Sequence, residues 1–395
     1  MIPYLFIIIS LIILASGYSY VGFRLISAAN LPTIGNFGAW SILFLFLIFL
    51  YVPFILTRLG INHKFIDSML FLGYIGLGFI SFLIIFLLIK DFSITVFSVV
   101  KNFLAFFNLR EKPFVENPAR RQFLLNAFNL GILTASTALT SYGFYHATRK
   151  PYMKKVFIPI KNYTDELKNF TIIQVSDLHV GPTIKQDYVR KIVDEINKIN
   201  PDVFVFTGDL VDGSVENLKA DVEPLKNINP RLGKYFITGN HEYYSGALEW
   251  MKEAENLGFV VLHNENRIID YNGKKIMIAG VPDVQGVQFF KDHISDPIKA
   301  SITDEKCDVK ILLAHQPKSL YKAIEAGFDI QLSGHTHGGQ FIPWNYLAKI
   351  GQPFIKGLNK MKNTQIYVSN GTGYWGPPLR IGAKSEITKI KFVQV

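Results

Sequence analysis

The stretch Gly334-His335-Thr336-His337-Gly338-Gly339 places two imidazoles two residues apart in a turn rich in glycine. Imidazole is a common ligand for zinc, manganese and iron, and glycine leaves room for backbone to come close to an ion. Alone, the pair reads equally well as an ordinary surface turn. Four earlier segments shift that balance, because each also ends an apolar run on ligand-type residues. Phe170 to Val175 runs into Ser176-Asp177-Leu178-His179, and Val203 to Phe206 into Thr207-Gly208-Asp209. Tyr235 to Thr238 runs into Gly239-Asn240-His241-Glu242, and Lys310 to Leu313 into Ala314-His315. Two carboxylates, an amide oxygen and four imidazoles can ligate two divalent ions a few ångströms apart if one carboxylate bridges them, which leaves one histidine for proton transfer.

The elements that must position these groups follow from periodicity. The apolar runs are short and β-branched, as strands are. Between the first two, Ile184 to Ile199 carries Val189, Ile192, Val193 and Ile196 at helical spacing before Asn200-Pro201-Asp202 breaks it. Alternating strands and helices predict an α/β domain from about Lys155. Open sheets gather side chains from separate strands in the crevice beyond their carboxyl ends, which is where every candidate ligand falls. Asn272-Gly273 predicts a hairpin that pairs Ile268 to Tyr271 with Lys274 to Ala279.

The first third of the chain has a different character and carries the excess of a composition that is 49% hydrophobic and 14% aromatic. Residues 3–21, 37–56 and 69–89 form apolar runs long enough to span a bilayer, ending near Arg24, Arg58 and Lys90-Asp91. Their interiors lack ionisable groups, which speaks for anchoring and against an ion path. Residues 92–109 are apolar but interrupted by Lys101 and Asn102, and are read as interfacial or shallowly inserted rather than spanning. A fourth span is expected over 122–147. Arg120-Arg121 before it suits either a twin-arginine export signal or the basic flank of that span. The expected division is therefore a transmembrane region, 1–150, and a catalytic domain, 155–395.

Basic residues set the orientation. Arg24, Lys90, Lys101, Arg110, Lys112, Arg120 and Arg121 fall on one face. Arg58, Lys64, Arg149, Lys150, Lys154 and Lys155 fall on the other. The first group is expected to be cytoplasmic and the C-terminal domain extracytoplasmic. The formal charge of +10 suits an anionic membrane, an anionic substrate or nucleic acid. The lone Cys307 excludes an internal disulfide and makes a cysteine-based metal site implausible.

At Asp177-Leu178-His179, Gly208-Asp209, Gly239-Asn240-His241-Glu242, His315 and Gly334-His335-Thr336-His337 the chain resembles the calcineurin-like metallophosphoesterase superfamily. Gly338-Gly339-Gln340 and the tail from Tyr367 to Arg380 resemble its bacterial membrane-associated branch, related to the Bacillus phosphoesterase YkuE. The resemblance implies a four-layer α/β fold, two packed mixed sheets flanked by helices. It implies two divalent metals per chain, manganese first, with iron or zinc as alternatives. Asp177, His179 and His337 would hold one metal, and Asn240, His315 and His335 the other, with Asp209 bridging. A hydroxide made available by the metals would attack phosphorus, and His241 would protonate the leaving oxygen.

Several residues keep two readings. Glu242 either orients His241 or faces solvent. Arg380 either contacts substrate phosphate or braces the C-terminal loop. Asn370 stands where relatives often have arginine, which leaves phosphate binding there open. Tyr243, Tyr374 and Trp375 either line a cleft for acyl chains or pack on neighbouring loops. Asp283 is either part of the site or structural. The leading function is a membrane-anchored phosphohydrolase whose partners are the bilayer and a phosphate-containing substrate, a lipid-linked one among the candidates, with no nucleic acid expected. A nuclease or cyclic-nucleotide phosphodiesterase, and a non-catalytic membrane sensor, are the alternatives.

Overall fold

A computed structural model describes residues 2–58, 61, 63–107 and 117–394 of the chain. Arg110 and Lys112, used above in the charge count, and the end of the 92–109 segment lie outside the described residues. The contacts divide the chain into two compact units, Met1–Tyr142 and Gly143–Val395.

The first unit is helical: α1 (Ile2–Leu25), α2 (Thr33–Arg58), α3 (Lys64–Phe106) and the greater part of α4 (Pro118–Thr148). Among the described residues, four helical segments are long and apolar enough to cross a membrane. Helices α2 and α3 approach closely at Gly73, where a Cβ would lie 2.6 Å from the Phe49 carbonyl oxygen, the use of small residues expected between packed apolar helices. The third helix does not end at Lys90-Asp91. It continues without a break through residues 92–106, because both charges are met by neighbouring helices. Asp91 accepts from Tyr20 and Arg24, each at 2.7 Å, and Lys90 donates to Asn129 at 2.8 Å. A paired charge no longer needs water to end the helix.

The second unit has four layers. One sheet contains β1 (Tyr152–Ile160), β2 (Ile172–Val175), β3 (Val203–Thr207), β4 (Lys234–Ile237), β5 (Val260–Val261) and β12 (Glu386–Gln394), in the order β1-β12-β2-β3-β4-β5. The other contains β6 (Glu265–Tyr271), β7 (Lys274–Gly280), β8 (Val309–Leu313), β9 (Ile330–Ser333), β10 (Gly357–Met361) and β11 (Thr364–Val368), in the order β10-β11-β9-β8-β7-β6. Both are mixed: β2, β3 and β4 run parallel, as do β7, β8 and β9, while β12 pairs antiparallel with β2 and β6 with β7. The predicted hairpin is β6–β7, turning at Asn272 and Gly273, both with positive φ.

Alternation along each strand builds the layers. Ile172, Val203, Val205, Tyr235 and Ile237 pack against Ile276, Ile278, Ile311, Leu313 and Leu332 of the second sheet. The opposite faces of β2 to β4, Ile173, Val175, Phe204, Phe206 and Phe236, meet Val189, Ile192, Val193 and Ile196 of α5 (Gln186–Asn197) and Trp250 of α8 (Ala247–Asn256). Two shorter helices, α6 (Val215–Val222) and α7 (Asn240–Ser245), precede α8. On the far side, Met277, Ala279 and Leu312 pack with Ala300 and Ala323 of α9 (Pro297–Ala300) and α10 (Leu320–Glu325). A buried polar residue also links the two sheets: Gln174 donates to Thr207 Oγ1 at 2.9 Å and to the Ser333 carbonyl at 3.0 Å. It ties β2 to β3 and β9, three of the strands that carry the site.

Candidate metal centre

The carboxyl ends of β2, β3, β4, β8 and β9 each deliver the residues expected from the sequence. Where the strands stop, the backbone turns left-handed at Asp177 (φ 53°), His179 (53°), Asp209 (58°), His335 (71°) and His337 (51°). A side chain in that conformation costs roughly 1–2 kcal/mol. It is held here by hydrogen bonds between the loops: Asp177 N–H donates to Gly208 O at 3.0 Å, Leu178 N–H to Asp209 O at 2.8 Å, and Gly373 N–H to Asp177 O at 3.0 Å. Glycine is required at Gly334, where a Cβ would strike the Ser176 hydroxyl and the Asp177 carboxylate.

Two groups of side chains converge. Asp177, His179 and His337 form one, and Asp209, His315 and His335 the other, each with ligand atoms within 4.8 Å of one another. Asp209 lies between them, its Oδ2 3.0 Å from His315 Nε2 and 3.8 Å from His179 Nε2. The Nε2 atoms of His179 and His337 are 3.0 Å apart. Adjacent nitrogens on one ion with bonds of about 2.1 Å are also separated by about 3 Å. The groups are buried, yet Asp177 Oδ2 and Asn240 Oδ1 find no hydrogen-bond partner among the described residues. Such orphaned oxygens are costly unless something else coordinates them, so the residues present fit a pair of divalent ions.

The electrostatics agree. Burial opposes charge on Asp209, but His315, then His241, hold its carboxyl well below the usual carboxylate range. Burial and the nearby His315 push His335 down to about 3, and burial with Arg380 also lowers His337, so both rings stay neutral. His315 Nδ1 donates to the Thr207 carbonyl at 2.8 Å, which turns Nε2 toward Asp209; burial lowers the pKa of this ring, but the charge of Asp209 outweighs it and holds the pKa well above the usual imidazole range.

His241 is set differently. Its backbone N–H donates to Asp209 Oδ1 at 2.9 Å, while Nδ1 meets Asp212 Oδ1 at 2.5 Å. Burial lowers its pKa, but the charges of Asp209 and Asp212 outweigh that and raise it to about 9. Asp212 also lies 3.2 Å from His179 Nδ1. Sequence reasoning missed this residue. Its signal was the second aspartate of Gly208-Asp209-Leu210-Val211-Asp212-Gly213, which resembles any polar turn until the fold sets it beneath two imidazoles.

A family model described as calcineurin-like phosphoesterase matches residues 170–339. An uncharacterized metallophosphoesterase of Helicobacter pylori strain J99 is 37% identical over 278 residues, covering 70% of this chain and 73% of that protein. The chain belongs to the calcineurin-like metallophosphoesterase family. Another relative, the uncharacterized metallophosphoesterase YkuE of Bacillus subtilis, is 32% identical over 292 residues, 68% of this chain and 96% of that protein. The Danio rerio transmembrane protein with metallophosphoesterase domain is 37% identical over 270 residues, covering 66% of this chain. This chain spans 62% of that protein's length, and 60% of the bovine counterpart's.

The remaining family positions fall as follows. Glu242 does not face solvent and does not touch the His241 ring. It is fully buried, accepting from the backbone N–H groups of Gly239 at 2.6 Å, Leu210 at 2.7 Å and Asp209 at 2.9 Å. Burial, then the Asp209 charge, push its pKa up to about 7. It shapes the metallophosphoesterase's bridging loop, and Asp212 is the carboxylate that holds His241. Arg380 is 1% exposed and spends its donors on the carbonyls of Gly373, His337 (2.8 Å) and Asn370 (2.6 Å), with Nη2 3.0 Å from His337 Nδ1. These contacts brace the C-terminal loop against His337. Asn370 is buried and donates to Glu386 Oε2 at 2.9 Å.

Tyr243 and Tyr374 pack: Tyr243 Oη meets His293 Nδ1 at 2.7 Å, and Tyr374 donates to the Thr183 carbonyl. Asp283 is buried and accepts from Gln285 N–H and Gln316 Nε2. Trp375 alone of the three aromatic candidates is exposed, its ring edge-on to His241 at 5.6 Å, with Tyr244 on His241's flank at 5.2 Å.

Proposed function

We propose that the chain is a membrane-anchored, dinuclear metal-dependent phosphohydrolase that cleaves a phosphoester or pyrophosphate bond of a lipid-linked substrate. The observation that carries this reading is Asp209, a buried carboxylate between two groups of metal-type ligands. Asp177, His179 and His337 would hold one ion and Asn240, His315 and His335 the other, with Asp209 shared. When bound, two divalent ions, manganese in this reading, neutralise phosphoryl oxygens and lower the pKa of the attacking water.

The protein's own groups then do the rest. His241, kept protonated by Asp212 on Nδ1, offers the proton on Nε2 to the leaving oxygen as its bond to phosphorus breaks. Glu242 fixes Asp209 by accepting from two backbone N–H groups of its loop, those of Asp209 and Leu210, while also holding Gly239 N–H of the neighbouring loop. Asp212 orients His179 as well, the carboxylate–histidine arrangement common behind metal ligands. Trp375 and Tyr244 flank His241 with apolar surface.

Anchoring rests on four apolar helices, and residues 1–150 and 155–395 are assigned as membrane region and catalytic domain. The basic excess around Arg120 and Arg121 supports a multi-pass arrangement with the catalytic domain extracytoplasmic. A reporter fused after Val395 should be active only outside the cytoplasm. A cytoplasmic signal from an intact fusion would reverse the orientation.

The substrate assignment is tested on the detergent-purified full chain supplied with manganese. Lipid phosphates and lipid pyrophosphates should be hydrolysed faster than nucleotides, cyclic nucleotides or oligonucleotides. Preference for the nucleotide set would replace the lipid reading with a nuclease or cyclic phosphodiesterase.

A further inference from the structure

Immediately after the ligand turn, residues 341–351 leave the sheet and return. Both feet of this excursion are tied to loops that carry the metal site. At one, Gln340 accepts from Trp375 N–H at 3.0 Å and donates to the carbonyls of Trp375 and Pro377. At the other, Gln352 donates to Gln316 Oε1 at 3.2 Å and accepts from Lys318 N–H at 3.0 Å, beside His315. Phe341 is buried as an anchor. Beyond it the pattern inverts: Ile342, Trp344, Tyr346, Leu347 and Ile350 point outward, Tyr346 63% exposed and Ile350 75% exposed.

Apolar side chains so exposed mark an interaction surface. Two features identify its occupant. Several backbone donors of the excursion are met within it: Tyr346 N–H donates to Pro343 O, Ala348 N–H to Trp344 O and Ile350 N–H to Leu347 O, each at 2.9 Å. The turn containing α11 (Trp344–Leu347) can therefore enter an apolar medium without stranding these donors. The second feature is charge. No aspartate or glutamate lies between Asp329 and Glu386, whereas Lys349, Lys356, Lys360 and Lys362 follow the apolar tip. Lys349 Nζ sits 5.7 Å over the Tyr346 ring. Tryptophan and tyrosine backed by lysines is the composition that settles at a headgroup boundary and is drawn to anionic lipid.

We propose that residues 342–350 form an interfacial membrane contact, inserting into an anionic lipid surface and holding the mouth of the metal centre against the headgroups. The contact is separate from the anchoring helices, although it rests on the reading that the protein resides in a membrane. It supplies a route by which a phosphate on a lipid reaches His241 without leaving the bilayer.

The test uses the full chain carrying Cys307→Ser in nanodiscs of phosphatidylcholine with phosphatidylglycerol. Spin labels are placed through Tyr346→Cys and Ile350→Cys, and through Leu248→Cys on the exposed side of α8 as a solvent reference. Relaxation by oxygen should exceed that by a water-soluble nickel chelate severalfold at 346 and 350, and the order should reverse at 248. Nickel access at 346 and 350 equal to that at 248 would overturn the proposal. So would exclusion of both relaxants, which marks burial against protein.

In parallel, Ile350→Glu should leave hydrolysis of a soluble nitrophenyl diester unchanged, confirming a folded site, and slow hydrolysis of a disc-embedded lipid phosphate about tenfold. Equal rates on the embedded substrate would also overturn it. A chain that stays outside the discs would contradict anchoring instead. The loop would then be judged by cosedimentation with phosphatidylglycerol vesicles, which Ile350→Glu must abolish if the proposal is right.

Discussion

Asp209→Asn is expected to cost about 100-fold or more in turnover and to lower the metal content of the purified protein. Losses of 10–100-fold are usual for groups one step further from a metal, and Asp209 is placed to touch both ions. The substitution removes the negative charge between His315 and His179 while keeping an amide oxygen where Oδ1 accepts from His241 N–H. The loop should therefore keep its shape, and the thermal midpoint of the metal-free protein should change little. Two metals per chain at full occupancy with wild-type turnover would remove Asp209 from the bridging position.

His241→Ala is expected to keep both metals and lose roughly 10²–10⁴-fold in rate, the usual worth of general acid–base catalysis. Asp212 occupies Nδ1 at 2.5 Å, so the ring's remaining nitrogen, Nε2, is the one placed to serve a leaving group. With its pKa raised to about 9, the ring carries its proton at neutral pH and loses it as pH rises past that value. Bound cations would lower that limit. The loss should depend on the leaving group. An alkoxide needs the proton, whereas a nitrophenolate departs with little help, so the variant should be far more defective on an alkyl phosphodiester than on its nitrophenyl counterpart. Equal losses on both, together with loss of metal, would make His241 a ligand, as its place in a group with His179 and Asp212 permits.

What the sequence revealed, and what it hid, divides along physical lines. Asp177, His179, Asp209, Asn240, His315, His335 and His337 were legible because each follows a short apolar run, and the topology of parallel strands puts run ends together. Asp212 was hidden because a carboxylate in a polar turn has the same local appearance whether it faces water or two imidazoles. Glu242 misled for the opposite reason: adjacency to His241 suggests a pair, but on the first turn of α7 its side chain points back to the Asp209 loop. Arg380 kept two readings because an arginine beside paired prolines suits a phosphate contact or a loop brace alike, and only the fold shows its donors spent on carbonyls. The length of α3 was hidden because Lys90-Asp91 reads as a helix stop until Arg24, Tyr20 and Asn129 are seen to meet those charges.

The central claim, a dinuclear centre that hydrolyses phosphate esters, is tested most directly by metal titration. The full chain is purified in detergent, stripped with a chelator, and given manganese in steps while bound metal and hydrolysis of a nitrophenyl phosphodiester are read together. The account predicts negligible hydrolysis in the stripped protein and a rate that reaches its plateau as the second equivalent binds. Full turnover without metal, a plateau at one equivalent, or two tightly bound ions with no hydrolysis of any phosphoester would contradict it.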